Sequence, residues 1–205
     1  MVELLIPNQL VSYSYALQFM EKRVQQIYNN SANELLWIIE HPPIYTAGIT
    51  AKDDEMINAL FPIYKTNRGG KYMYHGPGQR VIYLMLNLKK RKRCNIRLYI
   101  KDLSQWMINV LQRFNIIGEF KEDRIGIWVC HNNIEEKIVA FGIRIKKWIT
   151  YHGLALNISP NLSHYKGIIP CGLKEYNITS MEKLGVQIIT TVFDNVLIQE
   201  FYKIF

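Results

Sequence analysis

Apolar positions along the 205-residue chain fall into two kinds of pattern. From Ser14 to Tyr28 they recur as Ala16, Leu17, Met20, Val24 and Ile27, one face of a helix. Leu98, Leu103, Trp106, Met107, Val110, Leu111 and Phe114 keep the same three- and four-residue steps and predict the clearest amphipathic helix in the chain. Short unbroken apolar runs make the second kind. Residues 35–39, stopped by His41-Pro42-Pro43, and residues 81–86 read as buried strands. Residues 125–130 and 138–145 read as paired strands with Asn132-Asn133 in the turn between them. A further strand covers 149–158, ended by Ser159-Pro160-Asn161, and a last helix is expected near 191–205.

Helices and strands interleave without strict alternation. The expected fold is therefore α/β of the α+β type, with a mixed β-sheet flanked by helices. No repeat, low-complexity tract or flexible linker breaks the chain, so one domain over residues 1–205 is the simplest reading. A hydrophobic content of 49% suits a substantial core, and 20% charged residues argue against disorder. The longest apolar stretch, 81–86, falls far short of the roughly 20 residues that a membrane-spanning helix needs. With no basic leader or long apolar segment at the start, a cytoplasmic protein without a membrane partner is expected.

Charge narrows the partners only by sign. Twenty-five basic against seventeen acidic residues give +8, which favours an anionic partner: nucleic acid, a membrane surface or an acidic protein. Lys89-Lys90-Arg91-Lys92-Arg93 concentrates part of it, although such a run also suits a solvated loop. Without an RNA-binding motif, a nucleic-acid module is a minor alternative. Three widely spaced cysteines, Cys94, Cys130 and Cys171, make a poor disulfide framework, and no CxxC or HExxH element points to a metal. No cofactor is expected.

Candidate chemistry gathers at four places. Arg68-Gly69-Gly70-Lys71-Tyr72-Met73-Tyr74-His75 continues into Gly76-Pro77-Gly78-Gln79, a glycine-rich loop just before a buried strand. It matches neither a P-loop nor GxGxxG. A loop built only to turn needs no cation, paired tyrosines or histidine, so a ligand cradle is the better reading. Lys137 leads into the apolar segment Ile138-Val139-Ala140-Phe141-Gly142-Ile143, where a solvated lysine at a strand entrance is the plainer alternative. His152-Gly153-Leu154-Ala155 puts a histidine and a glycine in a strand. Pro170-Cys171-Gly172 holds a cysteine on a bend, where a thiol is more plausibly accessible than buried.

Taken in order, these blocks resemble the lipoyl(octanoyl) transferase family over roughly residues 35–185. They are His41-Pro42-Pro43 through Gly48, the glycine-rich loop, Lys137-Ile138 with Gly142-Ile143-Arg144, His152 to Asn157, and Pro170-Cys171-Gly172 with Thr179-Ser180. The resemblance implies a fold similar to that of biotin and lipoate protein ligases. It also implies an enzyme that moves an octanoyl group from octanoyl-acyl carrier protein, through a cysteine thioester, to a lysine. The acceptors would be lipoyl domains of 2-oxoacid dehydrogenase complexes and the glycine cleavage H-protein. Cys171 matches the family's nucleophile and Lys137 its partner. The implied substrate pocket comprises Arg68, Gly69, Gly70, Lys71, Tyr72, Met73, Tyr74 and His75, with Ala140, Phe141 and Gly142, and Gly153, Leu154 and Ala155. A monomer is expected. His75 and His152 are further candidates to support an oxyanion.

Met73 departs from the family, which usually carries a small hydroxyl residue there, so a non-catalytic homologue is one alternative. The nearest rival activity is an ATP-dependent lipoate or biotin ligase, which needs no cysteine nucleophile.

Overall fold

The computed structural model describes residues 1–172 and 176–205, with the side chain of Cys171 also outside the described set. Strand β1 (Val2–Leu5) precedes helix α1 (Tyr13–Tyr28), whose first turn is capped by Ser12 accepting from the Tyr15 N–H at 3.4 Å. Then come β2 (Glu34–Ile39), β3 (Ile44–Ala47), a short 3₁₀ turn at Asp53–Glu55, β4 (Ile63–Lys65), β5 (Tyr72–His75) and β6 (Gln79–Met85). Helix α2 (Ile96–Gln112) starts two residues before its first periodic leucine, because the Asn95 side chain accepts from the Leu98 N–H. Strands β7 (Gly118–Phe120), β8 (Gly126–His131), β9 (Ile134–Lys146) and β10 (Ile149–Asn157) follow. Two 3₁₀ turns at Leu162–Gly167 and Pro170–Gly172, strand β11 (Asn177–Ile178) and helix α3 (Thr190–Ile204) complete the described elements.

Among the described residues, eight strands form one mixed sheet in the order β1-β2-β6-β10-β9-β8-β7, with β11 added beside β9. The β1–β2 and β9–β11 pairs are parallel and the others antiparallel. Both faces of its centre are covered, which is why β2 and β6 read as unbroken apolar runs and not as alternation. Leu36, Ile38, Ile82, Leu84 and Leu156 pack under α2 and α3, whereas Leu35, Trp37, Val81 and Tyr83 pack under α1. A mixed α/β fold is thus confirmed.

A second sheet, β4-β3-β5, includes part of residues 68–79, where the glycine-rich pattern predicts a single loop. Tyr72–His75 is a strand, paired antiparallel with Ile44–Ala47. Two further corrections concern β9. It is thirteen residues long, and Lys137 lies inside it and is buried at 2% exposure, not solvated at an entrance. The predicted turn at Asn132-Asn133 is correct; both residues have positive φ, 51° and 62°, as a tight hairpin requires. No helix among the described residues is long and apolar enough to cross a membrane.

Candidate functional site

The face of the main sheet under β5 carries the candidate site. There β9 and β10 pair Ala140 with Ala155 and Gly142 with Gly153. These small side chains leave a trough across two central strands. At Gly142 a Cβ would come 2.9 Å from Arg68 Cδ, so the close approach of the Arg68 stem requires glycine.

Arg68 builds the loop above this trough. Its guanidinium is buried and donates to the Thr46 carbonyl and hydroxyl, each at 2.7 Å, to Lys71 O at 2.8 Å and to Gly69 O at 2.9 Å. The Gly69 N–H donates to Ile143 O at 3.0 Å, fastening the loop to β9. Gly69, Gly70, Lys71, Met73, Lys137, Phe141 and Gly172 all border one open cavity of about 440 Å³.

A β-bulge aims Lys137 at that cavity. Val139 opposes Ile127 and Lys137 opposes Trp128, leaving Ile138 as the extra residue. The Lys137 ammonium donates to Ile125 O at 3.2 Å and lies 4.8 Å from the centre of the Trp128 ring.

The Cys171 side chain lies outside the described residues, but described residues on either side are hydrogen-bonded into the fold. Before it, the Ile169 N–H donates to Glu55 O at 2.8 Å. After it, the Thr179 N–H donates to Lys137 O at 3.0 Å, and Thr179 O accepts from the Asn157 side chain at 3.0 Å. Gly172 has a φ of +68° and packs on the ion pair between Lys71 and buried Glu55. Pro170 and Gly172 each border a cavity that Lys137 also borders.

Several expected pocket residues turn elsewhere. Strand alternation sends Tyr72 and Tyr74 into the small sheet's own cluster with Tyr45, while Met73 faces the main sheet. The Leu154 side chain joins the core under α2 and α3, while the residue also borders the small cavity beside Gly142 and Gly153. His75 is buried between Gln79 Oε1 at 2.7 Å and Thr46 Oγ1 at 3.3 Å, and burial drives its pKa well below the ordinary value. His152, with a φ of +57°, meets Asn67 Oδ1 at 3.1 Å. Its pKa falls to about 3, first through burial and then through Arg68 and Arg144. Burial favours the neutral form of both histidines, and each is hydrogen-bonded within the protein.

The basic run is also thinner than its sequence suggests. Arg91 pairs with Glu34 and Arg93 with Asp102, leaving Lys89, Lys90 and Lys92 exposed. Sequence reasoning missed Glu55 and Trp128, and it marked Thr46 only as part of the block from His41 to Gly48. Long-range contacts give these residues their places, so no local pattern assigns them.

Comparison with known proteins adds to this geometry. Residues 12–202 match the model of the lipoyl protein ligase A/B catalytic domain. An octanoyltransferase of Wolbachia pipientis subsp. Culex pipiens (strain wPip) is 67% identical over 205 residues, covering all of both chains. One from Ehrlichia chaffeensis (strain Arkansas) is 53% identical over all of this chain and 96% of its own. A bipartite lipoate protein ligase from Thermoplasma acidophilum shares the fold, with a TM-score of 0.73 at 13% identity, over 99% of this chain and 83% of that one.

Proposed function

The chain belongs to the lipoyl protein ligase A/B catalytic family and groups with its octanoyltransferases; from that premise we propose that it transfers an octanoyl group from octanoyl-acyl carrier protein to a lysine of lipoyl domains through a thioester on Cys171. What supports the nucleophile assignment is that both chain neighbours of Cys171, Pro170 and Gly172, border cavities that Lys137 also borders.

The chemistry follows from the two groups. A free thiol with a pKa of about 8.5 is only slightly ionised at neutral pH, and the thiolate is the competent nucleophile. Lys137 as the amine takes the thiol proton while sulfur attacks the donor thioester carbonyl. The carrier's thiolate leaves and receives that proton back, so the first half balances with an acyl group on Cys171. In the second half the acceptor lysine, as a neutral amine, attacks the same carbonyl. Its amide bond forms as the C–S bond breaks, and the proton it loses reprotonates Cys171 by way of Lys137. Thioester exchange is nearly balanced, and amide formation makes the sequence one-way.

Backbone N–H groups of the glycine-rich loop are the oxyanion donors in this reading. The acyl tail lies in the trough over Ala140, Gly142, Gly153 and Ala155. Carrier proteins and lipoyl domains are characteristically acidic. The exposed Lys89, Lys90 and Lys92 would therefore speed encounter more than tighten the complex. Lipoyl domains of 2-oxoacid dehydrogenase complexes and the glycine cleavage H-protein are the acceptors, met in the cytoplasm by a monomer that acts as one domain.

The test is transfer from octanoyl-acyl carrier protein to a lipoyl domain in the absence of ATP. Octanoylation of the acceptor lysine supports the reading. Transfer that occurs only from free octanoate with ATP assigns the chain to the ligases.

A further inference from the structure

Three cavities meet at one side chain. The open cavity of about 440 Å³ lies between the glycine-rich loop and Lys137. A small one of about 10 Å³ lies between Lys137, Ala140 and Pro170. Another of about 10 Å³ lies between Gly142, Gly153, Tyr83 and His152. Met73 borders all three, and no other described residue does.

Each small cavity has room for about one water molecule, far less than a hydrocarbon tail requires. Yet both rest on one floor, because Ala140 sits beside Ala155 and Gly142 beside Gly153 in the same register. Nothing large rises from that floor. The Arg68 stem covers Gly142, and over Ala140 and Ala155 the space is bordered by the Met73 side chain, which β5 points at the main sheet and buries to 6% exposure. Methionine is unbranched, with three rotatable side-chain bonds, so it can fold aside where a branched residue would jam.

We propose that Met73 determines acyl-chain length: it fills the tail's place in the free protein, swings away as the tail enters, and limits how far the tail reaches toward Tyr83 and His152. The inference rests on the acyl-transfer reading above.

The test uses the full chain and its Met73→Ala and Met73→Phe variants. Each is incubated with hexanoyl-, octanoyl-, decanoyl- or dodecanoyl-acyl carrier protein, and the acyl-enzyme is followed by intact-protein mass spectrometry. Met73→Ala should shift the rate ratio of dodecanoyl to octanoyl upward by about tenfold or more, the scale of discrimination by methylenes in an apolar pocket. Met73→Phe should shift preference toward hexanoyl, so either variant is decisive if the other fails to fold. Acylated variants with the wild-type chain-length profile overturn the inference. If the unsubstituted protein is acylated by no donor, the transfer reading itself fails and this inference falls with it.

Discussion

The Lys137 ammonium lies 4.8 Å from the centre of the Trp128 ring, on the strand directly opposite it. A cation over an indole face gains about 1–2 kcal/mol when partly desolvated. The ring also fixes a long, flexible side chain whose ammonium, among the described residues, donates to Ile125 O.

Replacing Trp128 by Leu should therefore slow acylation roughly tenfold, beyond its effect on stability. Trp128→Phe, which keeps an aromatic face, should recover most of the rate. Comparing acylation rates with denaturation midpoints separates the two effects. Equal rates for Leu and Phe in folded protein would show that the ring only fills space.

Lys137 is buried inside β9, so the two obvious substitutions should behave differently. Lys137→Ala empties a volume in the sheet and should cost about 1–3 kcal/mol as well as activity. Lys137→Met keeps the volume and should leave the melting temperature near that of the unsubstituted protein. It should nevertheless lower acylation about 100-fold or more, as expected for a lost proton acceptor. A fully active Met variant would remove Lys137 from the chemistry.

Gly172 ties the cysteine bend to the glycine-rich loop. A Cβ there would come 2.8 Å from Glu55 Oε1 and collide with the Lys71 side chain, at a φ of +68°. Gly172→Ala should cost about 1–2 kcal/mol from backbone strain alone and should depress acylation more than melting temperature suggests. Lys71→Ala in the same background removes the closest clashing side chain and should restore part of the rate. No rescue would mean that the ion pair does not position the bend.

Stability should fall on mild acidification. His41 has its pKa lowered to about 4 by burial, and His152 to about 3. Above about pH 6.5 the folded and unfolded states are both neutral at these sites, so they add no pH dependence. Below it the unfolded chain binds protons that the native state refuses. Each histidine then removes about 1.4 kcal/mol per pH unit until its folded pKa is reached. Urea midpoints between pH 7 and 5 read this out, before the paired carboxylates Glu3, Glu135 and Glu200 begin to protonate. Substituting His41 should flatten the slope, and an unchanged slope would contradict its burial as a neutral ring.

The parts of the fold legible in the sequence are those whose period is long and one-sided. Residues 14–28 and the Leu98 to Phe114 pattern became α1 and α2 within a turn or so, because an apolar stripe specifies a helix without reference to its partner. The Asn132-Asn133 hairpin was legible because positive φ at two positions restricts residue type. Strands of three or four residues such as β3, β4 and β5 carry too little pattern, and only their pairing makes them a sheet. At the site, motif order indicated which segments matter. Whether Tyr72, Met73 or Tyr74 faces the trough depends on the register of β5, and a one-residue shift would reverse it.

Covalent acylation of Cys171 is read out by intact-protein mass spectrometry after incubation with octanoyl-acyl carrier protein. A single added octanoyl group is expected, released by hydroxylamine as a thioester is, and absent when Cys171 is replaced by Ala. An octanoyl adduct that persists in Cys171→Ala would contradict it.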